Sequence, residues 1–127
     1  MRKLAICLSL FVLACSSREV QVPEDTDLTE GMISSSTYQV VLSAFGADEQ
    51  EARKRGEEDA RRKTYMLILR EPFFRGTLSE EGKRQIRTLI ETRGRVVSVQ
   101  KEAEGAYRLI FQVTQPGGLR NTFRSIR

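Results

Sequence analysis

Apolar positions fall in distinct rhythms along this chain, and each rhythm predicts a different kind of segment. Leu4 to Leu13 is an almost unbroken apolar run. From Cys15 to Ser36 large apolar residues are scarce, and Pro23, Glu24, Asp25, Asp27 and Ser34-Ser35-Ser36 make a polar stretch that cannot bury enough surface to offset its ordering entropy. The β-branched and aromatic run Tyr38-Gln39-Val40-Val41-Leu42-Ser43-Ala44-Phe45, ended by Gly46, predicts a strand. Later, Tyr107, Leu109, Phe111 and Val113 alternate with Arg108, Ile110 and Gln112, which predicts a strand with one face toward a core and the other wetter.

Between these strands the period lengthens to that of a helix. Asp48 offers an N-cap oxygen and Glu51 follows three residues on, the pattern of a capping box. The helix is predicted to reach about Leu69, because Pro72 lacks an amide hydrogen and restricts the residue before it. Ala52, Gly56, Ala60 and Thr64 recur at steps of four, a stripe of small residues suited to close packing on a sheet. A second helix is predicted from near Thr77 or Ser79, with Glu80 and Glu81 favouring its positive end. Leu78, Gly82, Ile86, Leu89 and Ile90 form its apolar stripe, and Gly94 is expected to close it in the left-handed conformation. Residues 95–101, a turn at 102–105 and residues 106–114 then read as a hairpin. Gln115-Pro116-Gly117-Gly118 breaks the last strand, and residues 119–127 are expected as a basic tail or short edge segment.

The first fifteen residues read as an export signal. Arg2 and Lys3 precede the apolar run, and small Ala14 gives a peptidase access to the bond before Cys15. The run is well short of the roughly 20 residues that a retained span needs. Val12-Leu13-Ala14-Cys15 resembles the lipobox of a bacterial lipoprotein signal, in the looser form of spirochaetal lipoproteins because Leu13 is bulky for its place. The resemblance implies thioether attachment of a diacylglyceryl group to Cys15, followed by cleavage and N-acylation. Each buried methylene then contributes about 0.8 kcal/mol, so several acyl chains anchor stably where one does not. Ser16 and Ser17 lack the Asp associated with inner-membrane retention, which favours the outer membrane of the cell envelope. Plain secretion is the alternative, since Val12 and Ala14 also suit ordinary signal peptidase.

Residues 1–14 are therefore expected as a signal peptide, 15–36 as the lipidated cysteine and a flexible tether, and 37–127 as a single α+β domain with a basic C-terminal tail. The element order predicts a small three-stranded, mainly antiparallel sheet with one long and one shorter helix packed on one face, β-α-α-β-β. Gly46, Ala52, Gly56, Ala60 and Leu67 are similarly placed in small β-α-β-β domains of envelope lipoproteins and of the amino-terminal part of a flagellar assembly protein. That resemblance spans residues 38–113, implies no catalytic site and transfers no functional residue.

Charge and composition narrow the chemistry. The formal net charge of +4 includes Arg2 and Lys3, so the processed chain is close to balanced and its basicity is no argument for nucleic acid. Cys7 lies inside the signal, leaving Cys15 as the one cysteine of the mature chain and no internal disulfide. There is no His, and no Gly-rich phosphate loop follows a strand. These features argue against a metal, a cofactor or catalytic residues, and so against an enzyme. Glu102 and Glu104 read as solvated turn residues. The charge run of the long helix pairs at steps of four, Glu49 with Arg53, Glu51 with Arg55, Glu57 with Arg61 and Asp59 with Lys63 among others, each pair supporting the helix by about 0.2 to 0.5 kcal/mol.

Unbalanced cations lie elsewhere, at Arg84, Arg87, Arg93 and Arg95 and in the tail. Arg120, Phe123, Arg124 and Arg127 are the candidate contact for an anionic partner, such as a phospholipid headgroup, a glycan or an acidic protein segment. Phe73 and Phe74 are adjacent aromatics, of which one is expected to plug the core; the other either offers an apolar spot to a partner or is buried with it under the second helix. The sequence thus points to a lipid-anchored envelope protein that binds or supports without catalysis, held to the membrane through Cys15 and open to an envelope protein partner. The alternative is a surface-exposed, adhesin-like lipoprotein that binds external ligands.

Overall fold

The computed structural model describes residues 28–74 and 78–127, the Phe73 side chain excepted. The expected signal, Cys15 and most of the expected tether lie outside the described residues. Seven elements follow one another: β1 (Gly31–Met32), β2 (Thr37–Phe45), α1 (Glu49–Leu69), α2 (Glu80–Arg93), β3 (Gly94–Ala103), β4 (Ala106–Thr114) and α3 (Leu119–Ser125), with a 3-10 turn at Pro72–Phe74. The fold is α+β, as the element order predicts. The sheet has four strands, all antiparallel, in the order β1-β2-β4-β3. The added strand, Gly31–Met32, falls inside the stretch read as tether and pairs with Gln39 and Tyr38 on the edge of β2.

The register of β2 against β4 explains the core. Val40 stands opposite Phe111, Leu42 opposite Leu109 and Ala44 opposite Tyr107, so the inward rows of both strands meet beneath the helices. Tyr38, Val40, Phe111 and Val113 from the sheet pack with Ala60 and Ile68 of α1, Ile86 and Ile90 of α2, and Leu119, Phe123 and Ile126 from the C-terminal end. Each large apolar side chain removed from water in this way contributes roughly 1.5–3 kcal/mol. A smaller cluster of Ala44, Ala52, Tyr107 and Leu109 closes the far end. Ile110 is a correction to the wetter face, being only 4% exposed. It sits in the middle of β4, which is paired on both sides, opposite Val41 and Ser98.

Helix α1 starts and packs as the residues dictate. Asp48 Oδ1 accepts the Glu51 N–H at 2.8 Å, and Glu51 Oε2 reaches back to the Ala47 N–H at 2.9 Å. Ala52, Gly56, Ala60 and Thr64 are all buried. A side chain at Gly56 would meet Leu109 and come within 2.9 Å of the Ala44 Cβ, so the helix axis lies close on β2 and β4. The buried Thr64 hydroxyl donates to the Ala60 carbonyl at 2.6 Å and needs no partner outside the helix.

Helix α2 begins at N-cap Ser79, whose Oγ accepts the Gly82 N–H at 3.0 Å. Its other end departs from expectation. Gly94 has φ −81°, not a left-handed value. It is glycine because the Phe111 ring and the Ile90 carbonyl occupy the space a Cβ would need. The chain passes straight from α2 into β3, and the hairpin to β4 turns at Gly105, where φ is +74°.

The C-terminal segment is a third helix rather than a tail or edge strand. Leu119, Phe123 and Ile126 recur at steps of four and three and are 0%, 1% and 8% exposed. Those spacings place Leu119 and Phe123 on the buried side of α3, and Ile126, just past its end, joins them in the core. In the sequence Arg120 and Arg124 interrupt that stripe.

Candidate functional site

The residues named for anionic contact separate into two places. The Gly117-Gly118 turn, with φ of +89° and +111°, swings the chain back over the sheet, and the Arg120 N–H donates to the Ser35 carbonyl at 3.0 Å. Gln115 N–H donates to Ser36 at the same distance, so the start of α3 is fixed against the β1–β2 turn. Arg120 and Arg124 lie one helical turn apart on α3, and both are exposed. Together with Met32 and Phe123 they line a cavity of about 250 Å³.

Phe123 belongs to this site as its wall, not as an exposed contact. Its ring meets Phe74 edge-on, with centroids 5.5 Å apart and planes at 73°. Phe74 plugs the core, at 4% exposure, and the Phe73 side chain lies outside the described residues. Arg127 stands apart from the pair: its carbonyl accepts from the Ser79 hydroxyl at 2.6 Å, which pins it to the start of α2.

Arg120 and Arg124 are distinguished by adjoining an apolar-walled cavity without an ion pair among the described residues. Among the described residues neither has a carboxylate within ion-pair distance, and the sequence carries no Asp or Glu after Glu104. Among the described residues the acids near β1 are engaged elsewhere. Glu30 pairs with Lys63, and Glu71 accepts the Tyr38 hydroxyl at 3.1 Å. Burial, then the Glu71 charge and hydrogen bond, push the Tyr38 phenol well above its usual range, with Glu30 adding to the shift.

Of the other cations read as unbalanced, Arg84 and Arg87 have partners, whereas Arg93 and Arg95 are exposed without an ion pair among the described residues. Arg84 meets Glu81 at 2.6 Å, and that hydrogen bond holds the Glu81 carboxyl below its ordinary value. Arg87 donates to the Tyr65 hydroxyl at 3.0 Å and lies 4.8 Å from the ring centroid. On α1 the pairs Glu49–Arg53, Glu51–Arg55 and Glu57–Arg61 form at 3.9, 2.7 and 2.7 Å. Asp59 instead takes Arg62 at 3.5 Å, because Lys63 turns to the sheet edge and Glu30. A wider, open groove of about 570 Å³ runs between α2 and α3, lined by Arg84, Thr88, Thr92, Arg93, Gln115 and Thr122 among others. Gln115 Oε1 is buried there without a hydrogen-bond partner among the described residues.

Met32 is the site residue that sequence reasoning missed. The adjacent apolar pair Met32-Ile33 in an otherwise polar stretch was the available signal. Among the described residues no cluster of three or more His, Cys, Asp or Glu is placed to hold a metal ion, and no helix is long and apolar enough to cross a membrane. No family model, curated protein or solved structure matches the chain.

Proposed function

We propose that this chain is a lipid-anchored cell-envelope protein whose folded unit binds an anionic partner and performs no catalysis. The observation that carries the reading is the pairing of Arg120 and Arg124 on one exposed helix face, beside a cavity walled by Met32 and Phe123, without a carboxylate partner among the described residues. Guanidinium groups left in this state are suited to phosphate or carboxylate. The lipobox-like Val12-Leu13-Ala14-Cys15 supports attachment through Cys15, and the absence of His supports a binding role over acid–base chemistry.

The full chain, expressed in a bacterium that processes lipoproteins, tests this in three measurements. Mass spectrometry of the mature amino terminus is expected to find acylated Cys15, and an unmodified terminus refutes the anchor. Binding of the processed chain to anionic partners, whether phospholipid vesicles or acidic proteins recovered from membranes, is expected to diminish in the R120Q/R124Q variant. Protease treatment of intact cells is expected to spare the protein, as for a site facing the periplasm; digestion would establish the surface-exposed alternative instead.

A further inference from the structure

We infer that the anionic partner of Arg120 and Arg124 is the phospholipid surface itself, so that the domain docks onto the bilayer through the α3 face. The inference rests on the anchored reading of Cys15 and adds to it a specific contact and an orientation.

The first argument is chemical. Two exposed arginines one turn apart, with no acid after Glu104, present a local positive field with no carboxylate partner among the described residues. Beside them the cavity of about 250 Å³ is walled by Phe123 and Met32, smaller than the ~300–1,000 Å³ of a site for a whole small molecule. It has room for a short apolar group adjoining an anion. A phosphodiester joined to glycerol and the first carbons of an acyl chain has that composition, whereas a free phosphate would leave the apolar walls unused.

The second argument is geometric. Met32 lies on β1, the first strand that the chain forms after Leu28, and the Arg120 N–H is bonded to Ser35 just beyond it. The site is therefore at the end of the domain where the chain arrives from Cys15. Thirteen residues carry the chain from Cys15 to Leu28, a path of about 45 Å at most. An acylated Cys15 keeps the membrane surface within reach of α3 at all times, and such tethering turns a weak headgroup contact into an effectively intramolecular one. An acidic protein segment would gain no such advantage.

The test places the full, processed chain in vesicles of phosphatidylcholine alone or with phosphatidylglycerol added, and reads hydrogen exchange across the protein. The expected result is slower exchange at Leu119–Ser125 and around Met32 in the anionic vesicles only. In R120Q/R124Q the docking constant is expected to fall about fivefold per arginine. The charge-matched variant R93Q/R95Q, altered at exposed positions away from the cavity, is expected to keep the protection. Equal exchange in both vesicle types overturns the inference, as does protection of α3 by soluble polyglutamate but not by anionic lipid. The two readings fail separately. Acylated protein with α3 unprotected keeps the anchor and loses the contact. Unacylated protein that still binds added anionic vesicles through α3 does the reverse.

Discussion

Lys63 Nζ lies 2.7 Å from the carbonyl oxygen of Val41, and the same ammonium meets Glu30, whose Oε1 accepts the Val41 N–H at 3.1 Å. β1 pairs only with Tyr38 and Gln39, so Val41 sits just past the point where the sheet edge loses its partner strand. Two side chains thus do for Val41 what a longer β1 would have done, and they also block that edge to another chain.

Removing either side chain should therefore cost more than a surface ion pair does. Glu30→Ala or Lys63→Met is expected to lower stability by about 1 kcal/mol, the contribution of a hydrogen bond to a charged group that is partly open to water. Glu49→Ala, which breaks an exposed pair with Arg53 at 3.9 Å, is expected to change it by less than about 0.5 kcal/mol. Urea unfolding measures the difference, and faster exchange of the Val41 amide in the first two variants ties it to the strand edge.

Gly94 and Gly56 give a second, graded expectation. Alanine gains roughly 1 kcal/mol of propensity over glycine in a helix interior, which favours Gly56→Ala before packing is counted. Packing reverses the sign, since the new methyl meets buried Leu109 and Ala44, and overpacking typically costs about 1–3 kcal/mol. Gly94→Ala should be worse than Gly56→Ala, because its methyl meets the Ile90 backbone as well as the Phe111 ring and has no propensity gain to offset it. Thermal or denaturant midpoints of the two variants test that order, and a Gly94→Ala protein as stable as the parent would contradict the packing account.

How far the fold was legible depends on where each element draws its stability. Helix α1 announces itself because Asp48, Glu51, Pro72 and the small stripe are local signals. Helix α3 does not: it is short, its N-cap is Gly118 without a side-chain bond, and it gains its stability from burying Leu119, Phe123 and Ile126. In a segment with three arginines, that tertiary contribution is hidden. β1 has no signal of its own beyond Met32, since its pairing is dictated by the edge of β2. A capping glycine and a packing glycine look alike in sequence, and only the placement of Phe111 beside Gly94 distinguishes them. The cations of the candidate site could be read directly, whereas the cavity between them required knowing that Phe123 turns inward and Met32 lies alongside.

Burial of the Tyr38 phenol beside Glu71 predicts a pH dependence on the alkaline side. The phenol is raised in the folded state above its unfolded value near 10, so the folded protein retains a proton that the unfolded chain releases. The stability linked to this group is complete below about pH 10 and is lost as the pH climbs beyond it, by at most about 1.4 kcal/mol per pH unit. Tyr38→Phe is expected to flatten that slope, measured as urea midpoints from neutral to strongly alkaline pH. A slope unchanged in the variant would assign the loss to other groups.

The inward turn of Phe123 changes what a C-terminal deletion means. Removing residues 119–127 takes away Leu119, Phe123 and Ile126 along with the arginines, so loss of binding in such a truncation reports unfolding as readily as lost contact. Point substitutions separate the two. Phe123→Ala is expected to cost about 3–5 kcal/mol, as for a buried aromatic whose ring also contacts Phe74. Arg120→Gln and Arg124→Gln are expected to shift stability by less than about 0.5 kcal/mol each, since both side chains are exposed and lack an ion-pair partner among the described residues. Denaturant unfolding of the three variants, read beside binding to anionic vesicles, should show a stable fold with weakened binding only for the arginines. A large loss of stability in either arginine variant would mean that the charges serve the packing of α3, and the binding reading of that face would fall with it.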